Sequence, residues 1–182
     1  MSIVYIVALE SELPQQHDMD IRYCGVGKVN AAHATMKAIA DGATKIVNFG
    51  TAGLVCTKDL KGLHKVTHIK ERDMQAEPQA PRGVTPFEET PFAGEIELSP
   101  LREITLGTGD SFVQAPDQWF DEAQIDIVDM EAYGIAKICA KEQIDFECYK
   151  FITDFADEDA MKDWQLARPA QCGRHLHHDY YI

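Results

Sequence analysis

Positive charge is scarce in this chain. Seventeen lysines and arginines stand against thirty aspartates and glutamates, a formal net charge of −13, and the pI is near 4.8. Polyanions and anionic lipid surfaces are held by basic patches, so neither nucleic acid nor a membrane surface is an expected partner. A small anionic ligand in a local pocket stays compatible with this balance. Cysteine offers no framework either. Cys24, Cys56, Cys139, Cys148 and Cys172 are scattered, odd in number and without a CxxC pair, which fits a reducing, cytoplasmic setting better than a disulfide scaffold.

Long hydrophobic runs are missing too. The apolar stretch 3–9 is too short to span a bilayer and has no basic flank or cleavage site. No internal repeat or low-complexity tract is present. The GVGK at 25–28 is not a phosphate-binding P-loop, because that pattern needs glycine where Arg22 stands and a hydroxyl where Val29 stands. His175, His177 and His178 near the end lack a second ligand cluster or an HExxH spacing. They are read as a surface tail, and no metal is expected.

What remains is strand and helix in alternation. At 182 residues, 45% of them apolar, the chain fits a single domain over 1–182 with a sizeable core. IVYIVAL, IRYCGV, TKIVNFG, GLHKVTHIKE, REITLG, IDIVDM and FECYKFIT read as strands. KVNAAHATMKAIA (28–40) reads as a helix with Val29, Ala32, Met36 and Ile39 on its apolar side, and EAYGIAKICAKEQ as a second helix. Four prolines (Pro78, Pro81, Pro86, Pro91) mark 73–95 as a long loop. Phe87 and Phe92 within it fit a ligand cover or loop packing equally well. The alternation predicts an α/β fold, a three-layer α/β/α domain around a central mixed, twisted sheet.

Ligands in open α/β sheets bind beyond the carboxyl ends of strands, and polar residues gather there four times. ESE follows the first strand, GTAG follows TKIVNF, DME follows IDIV and TDFAD follows CYKFI. Each has a plain reading. Glu10 and Glu12 suit a first helical turn, Asp129 and Glu131 suit helix capping, Thr153 and Asp154 suit a strand-end turn, and the glycines suit turns. Their joint occurrence favours a site with several convergent carboxylates.

GVGKVNAA, NFGTAGL, GDSFV, VDMEAYGIAKIC and FITDFADEDA, in that order, resemble the nucleoside phosphorylase superfamily. Within it, the ESE opening resembles the 5′-methylthioadenosine/S-adenosylhomocysteine nucleosidases. The resemblance covers 3–159, and the segment from about 165 matches poorly. Phosphorylases of this superfamily hold phosphate at the first loop with glycine and arginine. Here that loop carries Glu10 and Glu12, and no arginine precedes Arg22. Two carboxylates repel phosphate but can take a proton from water, so the resemblance implies a hydrolase cleaving 5′-modified adenosines to adenine and the sugar.

The resemblance assigns roles. Glu12 activates water, and Asp154 supplies the proton at adenine N7. Glu131, beside Asp129, accepts the ribose hydroxyls while Met130 packs on the sugar. Phe112 stacks on the purine, the Val113 backbone reads its edge, and Thr51 lies near the water and sugar. Lys150 stands where relatives often carry arginine. No cofactor is implied, and a homo-oligomer, dimer or hexamer, is. Departures from the family are a nearly absent insertion before GVGK, GTAGL in place of GxAGG, and Gln75 in an ERDMDA-like loop. A phosphorylase or a catalytically inactive nucleoside-binding protein are the alternatives.

Overall fold

The computed structural model describes residues 2–115 and 117–154. The carboxylates after Asp154 and the histidines near the end lie outside the described residues. In chain order the elements are β1 (Ile3–Val7), β2 (Asp20–Tyr23), α1 (Lys28–Ala40), β3 (Lys45–Leu54), β4 (Gly62–Lys65) and β5 (His68–Glu71). They continue as β6 (Glu95–Glu97), β7 (Thr105–Thr108), α2 (Gln118–Glu122), β8 (Ile127–Asp129), α3 (Ala132–Glu142) and β9 (Asp145–Asp154). GLHKVTHIKE forms two strands rather than one, since β4 pairs with β9 and β5 with β7. The segment after the proline-rich loop adds β6, paired antiparallel with β5.

All nine strands join one mixed sheet. Its central strand, β3, is the longest, together with β9, and the two run parallel from Lys45↔Asp145 to a shift of register at Ala52/Gly53. The other edge of β3 is shared. β1 pairs with it in parallel as far as Ile6↔Asn48, and β8 pairs antiparallel at Gly53↔Val128 and Leu54↔Ile127. Because β1 runs with β3 and β8 runs against it, the carboxyl ends of β1 and β8 point at each other. They leave Gly50 and Thr51 of β3 opposite neither strand.

Side chains alternate across the pleat, and this sorts the helices. Ile127 packs with Tyr133 and Ala136 of α3, whereas its neighbour Val128 packs with Phe120 of the short α2. Helices therefore lie on both faces of a mixed sheet, as the alternation predicted. Helix α1 occupies its expected range, but a different side of it is buried. Ala31, Thr35 and Ala38 face the sheet and α3, while Val29 is 79% and Met36 41% exposed. Small residues let α1 approach α3 closely, and Thr35 is fit for burial because its hydroxyl donates to Ala31 O at 2.8 Å. Bulk and hydropathy pointed to the other side.

The approach is close at Gly134, where a Cβ would lie 2.7 Å from Lys28 O. Replacing glycine by alanine inside a helix ordinarily stabilises it by up to about 1 kcal/mol. At this contact with a backbone oxygen, Gly134→Ala is expected instead to destabilise by about 1–3 kcal/mol through overpacking. Urea denaturation measures this, and a more stable variant would contradict the close α1–α3 contact.

Candidate functional site

The stretch of β3 left between β1 and β8 is occupied by a side chain. Glu12 folds back from the turn after β1, closed by Glu12 N–H donating to Leu9 O. Its Oε1 accepts from Thr51 N at 3.0 Å and from Thr51 Oγ1 at 2.6 Å, and its Oε2 accepts from Leu9 N at 3.1 Å. A strand N–H without a ladder partner must find an acceptor if buried, and here a carboxylate supplies it. Glu12 is 4% exposed, whereas Glu10, two residues earlier, is on the surface. An ionised carboxylate has about four lone-pair sites. Among the described residues two on Oε1 and one on Oε2 are used, which leaves one on Oε2 to accept from a ligand or water.

Lys150 reaches the same place from β9. It sits opposite Gly50 in the ladder, and a Cβ added to Gly50 would lie 3.1 Å from Lys150 Nζ and 3.5 Å from Glu12 Oε1. The ammonium is paired elsewhere, with Asp129 Oδ2 at 2.8 Å, and both side chains are 1% exposed. Burial alone would lower the Lys150 pKa; Asp129, then Cys148 and Glu131, outweigh it and raise it. Lys150 therefore underlies the cleft rather than lining it. Asp129 also accepts from Ala132 N at 2.9 Å and from Thr108 Oγ1 at 2.5 Å. The helix-capping reading thus holds for Asp129 at the start of α3, alongside its ion pair.

A cleft opens above this layer. Glu12, Thr51, Met130, Glu131 and Asp154 line it, together with Phe112 and Val113. Asp129 reaches its wall as well. Of the residues to which the resemblance gave a place at the ligand, Lys150 is off the wall, and Glu10 of the first loop is off it as well. Asp154 is buried at the end of β9 and accepts from Thr153 Oγ1 at 2.8 Å. Glu131 precedes the first turn of α3 and accepts from Gly27 N at 3.0 Å, which ties the GVGK turn to the cleft. Burial and then the Asp129 charge push the Glu131 carboxyl up to about 7. Phe112 stands at the mouth, 37% exposed.

Sequence reasoning missed Ala8, Leu9, Val26 and Arg72, which also line the cleft. Arg72 alone carried a signal, a charged residue directly after β5. The phenylalanines of the long loop do not contribute from within this chain. Phe87 is 96% exposed, and Phe92 is held against α3, its carbonyl accepting from Tyr133 OH at 3.2 Å and its ring lying under Lys141. Among the described residues, no group of three or more His, Cys, Asp or Glu could hold a metal ion. No helix there is long and apolar enough to cross a membrane.

This arrangement, a mixed sheet with carboxylates meeting at the ends of β1, β8 and β9, defines a nucleoside phosphorylase-like fold. Residues 15–176 match the Phosphorylase superfamily, and the chain belongs to that superfamily. A search of curated protein sequences finds no match. Among solved structures, a futalosine hydrolase mutant of Helicobacter pylori aligns at 21% identity over 94% of this chain and 93% of that one, with a TM-score of 0.83. The 5′-methylthioadenosine/S-adenosyl homocysteine nucleosidase of the same organism aligns at 21% over 94% and 92%, with a TM-score of 0.82. A putative nucleosidase of that kind from Francisella philomiragia aligns at 19% over 95% and 94%, with a TM-score of 0.83. At these identities the likeness is one of fold.

Glu131 gives the site a pH signature. It binds its proton more tightly folded, near pH 7, than unfolded, near 4.5, so the stability it contributes is complete below about 4.5 and lost as pH rises through about 7. Urea unfolding at pH 5, 6 and 7 should show the wild type losing stability relative to Glu131→Gln as pH rises. A wild type that gains on the variant over that range would contradict the buried, charge-crowded position of Glu131.

Proposed function

We propose that this protein is a purine nucleosidase that hydrolyses the N-glycosidic bond of 5′-modified adenosines, releasing adenine and the sugar. One observation carries the choice of water over phosphate. The donors at the attacking side of the cleft, Leu9 N, Thr51 N and Thr51 Oγ1, are all engaged by the Glu12 carboxylate. A phosphate there would meet an acceptor-only anion in place of donors. Among the described residues, Lys150 below the cleft and Arg72 on its wall are also committed. Lys150 is bonded to Asp129, and Arg72 to the backbone and side chain of the segment before Phe112.

In this reading Glu12 holds a water in the cleft through the remaining lone pair of Oε2. As water oxygen bonds to C1′, the C1′–N9 pair leaves with the base and Asp154 gives a proton to N7. Glu12 takes the proton released by water, and both carboxyl groups return to their starting states through solvent. Charge builds up positively on the ribose and negatively on the base, so a site needs an acid at one end and a base at the other. Glu131 accepts hydrogen bonds from the ribose hydroxyls and Met130 packs on the sugar. Phe112 stacks on the purine, and the backbone of Val113 meets its edge.

Two variants test the assignment. Glu12→Gln removes the proton acceptor and Asp154→Asn the proton donor, and general acid–base catalysis of this kind contributes about 10²–10⁴-fold. Each purified variant should hydrolyse 5′-methylthioadenosine at least about 10²-fold more slowly than wild type, with its fold intact by circular dichroism. Turnover near the wild-type rate in either variant would refute the role given to that residue.

A further inference from the structure

Arg72 is a buried cation with no carboxylate inside ion-pair distance among the described residues. It is 4% exposed and lines the cleft, and burial pulls its pKa below the ordinary arginine value. Burying a charge without a partner of opposite sign is costly, so where its hydrogen bonds go is informative. They go to one short segment. Nη1 donates to Ser111 Oγ at 2.9 Å, and Nη2 donates to Gly109 O at 2.9 Å and to Ser111 O. A Cβ at Gly109 would lie 2.9 Å from Arg72 Cζ, so the loop rests directly on the guanidinium. The neighbouring Asp73 favours the Arg72 cation by its charge from a distance, but its oxygens are bonded elsewhere. It accepts from Lys28 Nζ at 2.6 Å and from Asp110 N at 2.7 Å, while Asp110 accepts from Lys28 N at 2.8 Å.

Phe112 and Val113 follow this segment immediately and form the cleft wall. We infer that Arg72 is the positioning residue for the base-facing segment 111–113, setting by its three hydrogen bonds where the purine is gripped. The inference rests on the proposed function, in which Phe112 and Val113 face the base. Arg72 acts through that segment and touches no reacting atom. A planar fork reaches three acceptors at once, and a lysine ammonium at the same place keeps the charge without that geometry. The grip on the base is alike in ground and transition states, so its loss falls on binding more than on turnover.

The test compares wild type with Arg72→Lys and with the milder Ser111→Ala, which deletes one acceptor. Three readouts are taken: adenine affinity by calorimetry, KM and kcat for 5′-methylthioadenosine, and backbone hydrogen exchange at 109–113. Arg72→Lys is expected to weaken adenine binding and raise KM by about tenfold or more with kcat within about threefold, and to speed exchange at 109–113. Ser111→Ala should do the same to a lesser degree. Wild-type adenine affinity and exchange in Arg72→Lys overturn the proposal, as does a loss confined to kcat. A wild type that binds no adenine would be a failure of the proposed function. In that event, faster exchange in Arg72→Lys still upholds the positioning of 111–113, and unchanged exchange overturns it.

Discussion

The structure turns on the short interval of β3, Gly50 and Thr51, that neither β1 nor β8 covers. β3 pairs with β9 from Lys45 to Gly53 on one side, but on the other it is handed from β1 to β8. Those two strands meet carboxyl end to carboxyl end, and the backbone N–H of Thr51 faces the interval between them. Glu12 closes it with a carboxylate oxygen at 3.0 Å. The interaction fixes the turn after β1, because the other oxygen accepts from Leu9 N, and it buries an acidic group in a sheet. The side chain that completes the sheet is thus also the one poised at the floor of the cleft.

Charge below the cleft is arranged around the same point. Asp129 ends β8 and Lys150 lies in β9, and their buried pair is supported by the α3 N-terminus and Thr108. Removing one member of such a pair strands the other, which is why buried pairs are costly to break. With Asp129 and Lys150 satisfied by each other, Glu131 is left next to a negative neighbour in a buried place. Its raised pKa follows from burial first and from that neighbour second. Three carboxylates within one site therefore have three different environments: Glu12 in a shell of donors, Asp129 against an ammonium, and Glu131 with a single backbone donor from Gly27.

Much of this was legible in the chain. The β-branched runs of β3 and β9 and the helical range 28–40 follow from local chemistry, and Glu12, Glu131 and Asp154 stand at strand ends where a site was expected. The misses have physical causes. Helix α1 buries Ala31, Thr35 and Ala38 because packing distance to α3, not side-chain bulk, selects its face. Helix α2 is a five-residue turn begun by Asp117, whose side chain accepts from Trp119 N, and so short a helix has no periodicity to read. Lys150 was expected at a ligand and lies beneath the wall, since its partner is set by the β8–β3–β9 register. Arg72 escaped notice because its acceptors are 37 and 39 residues away, a pairing that only the parallel β5–β7 contact brings together.

The central claim is that Glu12 makes water, rather than phosphate, the nucleophile. The measurement that tests it most directly is adenine release from 5′-methylthioadenosine by the purified protein, in phosphate-free buffer and again with phosphate added. The account predicts adenine and free methylthioribose in both buffers at the same rate. Release only with phosphate, yielding a sugar 1-phosphate, would contradict it.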